Sequence, residues 1–252
     1  MIELSDKTEG KLDYININST DDIYKLKNIL KNPTIIKGAM ENWPAIQRWN
    51  WTYLLNNFGN RKVLVEVQQE AAVPVDLVEA IFDKREVTIA EVIDGILNHK
   101  FSPRLYLAMS PILTIIPELI KDLPSSLNLW SGQIEDVMFW LGPTGTISPV
   151  HFDESDNFLA QILGIKKIIF IEPKYSHCLY PYKEKDKYIY SPVDLEQPDF
   201  IRFPKLVEIQ SRVCIIEPGE MIFIPKGHWH FVRALESSIS LNFWQWRNRK
   251  LI

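Results

Sequence analysis

Cysteine is nearly absent: Cys178 and Cys214 are the only two in 252 residues. They can form no disulfide framework and lack the paired spacing of a structural zinc site, so both read as ordinary thiols of a reducing compartment. Positive charge is not in excess either. The 28 Lys and Arg against 32 Asp and Glu give a formal net charge of −4, which argues against a protein that coats nucleic acid, with a local basic patch still open. No uninterrupted apolar run reaches the length of a bilayer span, and the first residues, Met1 to Lys7, show no basic stretch leading into an apolar one. The expectation is a soluble, cytoplasmic protein with neither membrane nor nucleic-acid partners. Internal repeats, low-complexity tracts and Gly/Ser linkers are missing too, so nothing divides the chain. Nor is there a Gly-x-Ser-x-Gly elbow or a phosphate-cradling glycine loop.

What is present suits one substantial core: 46% hydrophobic residues and 12% aromatics describe an ordered globular chain. The expectation is a single domain over residues 1–252, with a β core over about 136–246 and a mixed helix–strand flank over about 12–135. In the flank, Thr20-Asp21-Asp22 can cap a helix from Ile23 to Leu30, and Thr34-Ile35-Ile36 reads as a strand. Trp43, Trp49 and Trp51 read as packing residues. Lys62 to Val67 alternates as a strand, Thr88-Ile89-Ala90-Glu91 is a capping box opening a helix through Leu97, and Arg104 to Met109 is another strand before a helical stretch at Pro117. From Asp136 on, short β runs are punctuated by Pro and Gly, the pattern of a mainly β antiparallel barrel or jelly roll with eight strands. The polar, Tyr-rich stretch from Pro173 to Lys205 is too long for a passive connection and reads as part of a site mouth.

The chemistry concentrates at His151-Phe152-Asp153 and, far downstream, at Gly227-His228-Trp229-His230. Residues i and i+2 of a strand point the same way, so His151 and Asp153 can hold one ion while Phe152 packs behind. A third ligand from a distant strand would complete one face of an octahedron, the two-histidine, one-carboxylate arrangement of non-haem Fe(II), and leave three positions open. His228 and His230 share a strand face, and spacing alone does not choose between them. His177 and His99 read as solvated.

The flanks are more specific than the tripeptide. They are Gly142-Pro143-Thr144-Gly145-Thr146-Ile147-Ser148-Pro149-Val150, Asn157-Phe158-Leu159, Gly164-Ile165-Lys166-Lys167, Pro218-Gly219-Glu220-Met221-Ile222-Phe223-Ile224-Pro225, and Trp229-His230-Phe231-Val232-Arg233-Ala234-Leu235. Together they resemble the JmjC/cupin-like family of Fe(II)- and 2-oxoglutarate-dependent oxygenases. The likeness runs from about Asp21 to Trp244 and is densest from Phe139 onward. Within the family it is strongest to an arginyl hydroxylase.

The resemblance implies a double-stranded β-helix of cupin type, with Fe(II), 2-oxoglutarate and O2 as reaction partners. It selects His230 over His228 as third ligand, because only His230 follows an aromatic residue and precedes the Val-Arg-Ala-Leu run. It gives Lys166 to the distal carboxylate of 2-oxoglutarate, a charge that must be paired when buried. Lys167 beside it faces the other way, toward solvent. Tyr106, Ser148 and Asn157 match cosubstrate-bonding positions, and Trp140 and Trp244 match aromatic positions lining or supporting the site; ordinary turn polars and core packing are the competing readings. The implied reaction is hydroxylation of an unactivated C–H bond, with succinate and CO2 released. The implied substrate is an arginine residue of a protein or peptide, with Glu66 as guanidinium partner; an internal salt bridge is the plainer reading of Glu66. Demethylation begins with the same C–H step but fits a chain this short less well. An oxygenase of small molecules or RNA and a non-catalytic cupin binding module stay open.

Overall fold

The computed structural model describes residues 12–26, 29–68, 83–98, 103–125, 137–184 and 188–245. His99, expected to be solvated at a helix end, lies outside them. The flank contributes strands β1 (Asp13–Asn16), β2 (Thr34–Lys37), β3 (Lys62–Gln68), β4 (Lys84–Thr88) and β5 (Arg104–Ser110). There follow β6 (Val137–Gly142), β7 (Ile147–Phe152), β8 (Asp156–Leu163), β9 (Lys166–Ile171), β10 (Tyr182–Glu184) and β11 (Tyr188–Tyr190). The last four are β12 (Ser211–Ile216), β13 (Met221–Ile224), β14 (Trp229–Ala234) and β15 (Ser238–Gln245).

Two sheets result. One has nine strands in the order β1-β2-β13-β8-β15-β6-β5-β3-β4, the other six in the order β10-β11-β7-β14-β9-β12. From β6 to β9 and again from β12 to β15 successive strands cross from one sheet to the other, so β13-β8-β15-β6 and β7-β14-β9-β12 form the two walls of a jelly roll, antiparallel throughout. The flank strands extend the first wall at both ends, and β10 and β11, from the Tyr-rich stretch, extend the second.

Period-two alternation sorts side chains between the inside of the roll and its outer coverings. On β8, Phe158, Ala160 and Ile162 join the large core formed with the flank helices, while Leu159 joins the inner cluster. On β15, Ile239, Leu241 and Phe243 face that large core, leaving Ser240, Asn242 and Trp244 for the interior. On the opposite wall, Ile169, Ile171, Trp229 and Phe231 pack under the Tyr-rich stretch, whereas Ile168, Phe170 and Val232 point inward. These strands are covered on both faces, which explains why β8 is buried along nearly its whole length.

The flank helices follow their caps. Thr88 accepts from the Glu91 amide while the Glu91 carboxylate accepts from the Thr88 amide, so the capping box opens the helix Ile89–Leu97. The first helix differs from expectation. Ser19, not the Thr20-Asp21-Asp22 triplet, caps a short 3-10 turn leading into a helix Ile23–Leu26. Thr20 is engaged elsewhere: its hydroxyl donates to the Ala39 carbonyl (2.6 Å) and accepts from the Trp43 indole (2.7 Å). Trp43 and Trp49 are buried and Trp51 packs against the same core. Asp122, also buried, is satisfied by Arg48 (2.7 Å), Trp49 (3.0 Å) and Tyr53 (2.8 Å). No helix among the described residues is long and apolar enough to cross a membrane.

Candidate metal centre

The turn after β8 places the first polar residue inside the roll. Gly164 takes φ +73°, and a Cβ there would sit 2.2 Å from the Ser237 carbonyl oxygen, so only glycine fits. The turn delivers Lys166 to the inner face of β9, fully buried, where its ammonium donates to the Ser240 hydroxyl (2.6 Å). Among the described residues no carboxylate pairs with it; burial alone lowers its pKa to about 7. Lys167 faces outward as expected, but it is not left to solvent: it pairs with Glu196, which also binds Arg233.

Beside β9, strand β14 carries His230 on the same inner face, and β7 lies on the other side of β14. The β14–β7 register places His230 opposite His151 but Val232 opposite Ser148. One extra residue in β7, at Pro149–Val150, is a bulge; it allows Ser148 and His151, three apart in sequence, to face the same cavity. The strand ends at Phe152, so Asp153 lies one residue beyond it rather than on it. Its backbone is fixed by the Gly227 amide, which donates to the Asp153 carbonyl (3.0 Å) from the turn before His228.

His151, Asp153 and His230 come together, with one ligand atom from each lying within 4.8 Å of the others. Asp153 Oδ2 is 3.9 Å from His230 Nε2, and the two imidazole centroids are 4.2 Å apart. The tautomers follow from the partners. His151 Nδ1 lies 2.6 Å from the Pro149 carbonyl and His230 Nδ1 3.0 Å from the His228 carbonyl. A carbonyl can only accept, so each Nδ1 carries the proton and each Nε2 presents a lone pair. Burial and the neighbouring His151 lower the His230 pKa, against the opposing pull of Asp153, which keeps this imidazole neutral. Asp153 is oriented by Asn157, whose amide donates to Oδ2 (3.0 Å), and Asn242 in turn donates to Asn157 (3.1 Å). Two imidazoles, one carboxylate and no thiolate form a donor set that suits Fe(II).

These three side chains open onto a cavity of about 590 Å³ that also borders Glu66, Tyr106, Trp140, Ser148, Asn157, Lys166 and Trp244. The structure thus brings to one cavity His151, Asp153, His230, Lys166, Tyr106, Ser148, Asn157, Trp140, Glu66 and Trp244. His228 is not among them: it precedes β14, and its half-buried ring is near Glu172 and Arg212. Tyr106 is buried, its pKa raised by burial and by the Glu66 carboxylate and opposed by a hydrogen bond with Ser148. The Trp140 indole nitrogen and Asn242 Oδ1 are buried without hydrogen-bond partners among the described residues. Burial pushes the Glu66 carboxyl up to about 7, opposed by Lys84 and by Gln68. Glu66 forms no ion pair with another described residue, although the Lys84 ammonium, opposite it in the β3–β4 register, is near enough to hold its pKa down.

Sequence reasoning missed several lining residues. Lys84 lies opposite Glu66 in the β3–β4 register, Asn242 lies on the inner face of β15, and Tyr190 pairs with His151 across β11 and β7. Inward alternation along Ile239–Phe243 could have found Asn242; nothing in the sequence announces the pairing of β11 with β7. Met109, also at the cavity, holds φ +47° where the β5–β6 register shifts. Such a conformation is costly for a non-glycine residue and recurs at functional sites.

Residues 28–250 match the family described as cupin-like domain. The chain is 37% identical over 222 residues to "Lysine-specific demethylase JMJ30" of Arabidopsis thaliana, covering 86% of this chain and 50% of that protein. It is 33% identical to "Lysine-specific demethylase 8" of Xenopus tropicalis, covering 85% and 48%. It is 26% identical to the human "Bifunctional peptidase and (3S)-lysyl hydroxylase JMJD7", covering 84% and 76%. The chain spans about half the length of the two demethylase-named relatives. The cofactors of this family, Fe(II) and 2-oxoglutarate, fit the donor set and the unpaired buried cation. A jelly roll carrying this triad, matched to the family over nearly its whole length, belongs to the cupin-like JmjC family.

Proposed function

We propose that this protein is a 2-oxoglutarate-dependent hydroxylase acting on the side chain of an arginine residue in a protein or peptide. The observation that carries the oxygenase reading is Lys166. A fully buried ammonium with a hydroxyl as its polar partner is costly unless an anion completes it. It borders the same cavity as His151, Asp153 and His230, so a ligand with a carboxylate at each end can engage both.

Fe(II) held by His151, Asp153 and His230 would supply, with 2-oxoglutarate and O2, the oxidation of a C–H bond to an alcohol, with succinate and CO2 as coproducts. The chain's own residues bind and orient. Lys166 pairs the distal carboxylate, and Tyr106, Ser148, Asn157 and Trp140 offer polar groups along the cavity. Asn157, backed by Asn242, holds the Asp153 carboxylate in position. Trp244 and Tyr190 narrow the cavity around the reacting carbon. In this reading residues 136–246 form the catalytic roll and the flank supplies the substrate-facing side, all as one domain.

Glu66 supports a cationic substrate. Its carboxylate borders the cavity without an ion pair to a described residue, and a guanidinium can meet a carboxylate through two parallel N–H bonds. The relatives' names favour a second reading, demethylation of a lysine. A peptide library read by mass spectrometry separates the two. A stable gain of one oxygen on arginine peptides supports hydroxylation, while loss of a methyl group with release of formaldehyde from methyl-lysine peptides overturns it. A free metabolite hydroxylated far faster than any peptide would overturn the peptidyl assignment.

A further inference from the structure

The 3-10 turn Pro173–Cys178 and a second one, Pro204–Glu208, pack together outside the jelly roll, at the two ends of the Tyr-rich stretch. They bring three metal-binding side chains into contact. Cys178 Sγ lies 3.3 Å from His177 Nε2 and 3.8 Å from Glu208 Oε2, and His177 Nε2 lies 3.8 Å from that same oxygen. A tetrahedral zinc ion, with about 2.3 Å to sulfur and about 2.0–2.2 Å to nitrogen and oxygen, sets its ligand atoms roughly 3.4–3.6 Å apart. The three observed separations bracket that spacing, so an ion enters with shifts of a few tenths of an ångström.

The scaffold is held independently of the ligands. The Trp229 indole donates to the Ser176 hydroxyl (2.8 Å), the Ser191 hydroxyl donates to the Leu179 carbonyl (2.6 Å), and the Lys205 amide donates to the Tyr180 hydroxyl (3.1 Å). Tyr180 also packs against Phe203 with its ring tilted, the centroids 5.1 Å apart. Both turns are therefore fixed at residues flanking the ligands, which limits what metal binding must order. Sulfur, nitrogen and carboxylate together form a borderline-soft donor set, which prefers zinc over the hard cations.

We propose that His177, Cys178 and Glu208 form a second metal site, for a zinc ion with water as fourth ligand, that fastens the two ends of the Tyr-rich stretch to each other. On binding, the Cys178 thiol releases its proton to solvent and the thiolate takes the ion; no electron is transferred. The site is separate from the His151–Asp153–His230 triad, which contains no sulfur, and it stands whether or not the oxygenase reading does.

Cobalt(II) added to the whole protein tests this, because a thiolate bound to cobalt gives a charge-transfer absorption that the sulfur-free triad cannot produce. The expected result is that band at one equivalent per chain, displaced by zinc, retained in Cys214→Ser and in His151→Ala, and absent in Cys178→Ser. His177→Ala and Glu208→Gln, changes at exposed side chains that leave the fold intact, should each weaken cobalt binding by about tenfold or more. Absence of the band, its persistence in Cys178→Ser, or unchanged affinity in both exposed-residue variants would overturn the site.

Discussion

Lys166 and His230 face the same interior from adjacent strands, four residues apart along the shared register. His230 lies opposite Phe170 and Ala234 opposite Lys166, so their backbones are separated by roughly 13 Å along the strands. Both side chains border one cavity, so a short dicarboxylate could lie between the triad and the ammonium.

Replacing Lys166 by Ala should therefore weaken 2-oxoglutarate binding by on the order of 3 kcal/mol, about a hundredfold, and leave metal affinity nearly unchanged. Titration of cosubstrate into the metal-loaded variant measures it. Unchanged cosubstrate affinity would remove Lys166 from the site.

A pH dependence follows from the same residue. Burial depresses the Lys166 pKa to about 7, whereas a bound carboxylate favours the charged form. Above pH 7 binding must then take up a proton, so affinity should fall by about tenfold per pH unit, while below pH 7 it should level off. Calorimetry in buffers of differing protonation enthalpy reports the uptake directly. No proton uptake at alkaline pH would contradict this.

His151→Ala, Asp153→Ala and His230→Ala should each lose Fe(II) binding and turnover, whereas His228→Ala should keep both to a measurable degree. The first three remove one of three protein ligands; the fourth removes a ring outside the cluster. Metal titration of the four variants decides it, and iron retained by His230→Ala would refute the ligand set.

Glu66→Gln should weaken binding of an arginine peptide while leaving 2-oxoglutarate decarboxylation without substrate largely intact. Its carboxyl is raised to about 7, so wild-type affinity for the cationic peptide should rise as pH passes upward through that value, and the variant should lack the rise. Substituting lysine for the target arginine should remove most turnover, since an ammonium cannot match the two-point contact. Parallel pH profiles for wild type and variant would rule out this role.

The Thr88 capping box offers a stability test away from the cavity. Thr88→Ala should cost about 1 kcal/mol, read as a lowered denaturation midpoint with the metal site unaffected.

Much of this was legible before any coordinates. Period-two runs after Asp136 announce the jelly roll, and His151-Phe152-Asp153 with its flanks announces the metal centre, because both are local in sequence. What was hidden is non-local. That Lys84 stands across from Glu66 depends on the pairing of β3 with β4, and that Tyr190 reaches His151 depends on the pairing of β11 with β7. Cys178, read as an ordinary thiol, meets Glu208 only because two short turns distant in the chain pack side by side. Lys167 reads from the sequence as solvent-facing because its partner, Glu196, sits beyond two further strands.

The double-faced strands bind two properties of the protein to each other. Shifting β15 by a single position would turn Ser240 and Asn242 outward and thrust Leu241 and Phe243 into the cavity, dismantling the candidate site and the core in one stroke. Glu66, Lys84 and Met109 sit on flank strands that the roll does not require for its own closure. A lineage built on this plan can retune what the cavity admits through the flank, one substitution at a time, while the triad and its supports stay locked to the residues that fold the roll.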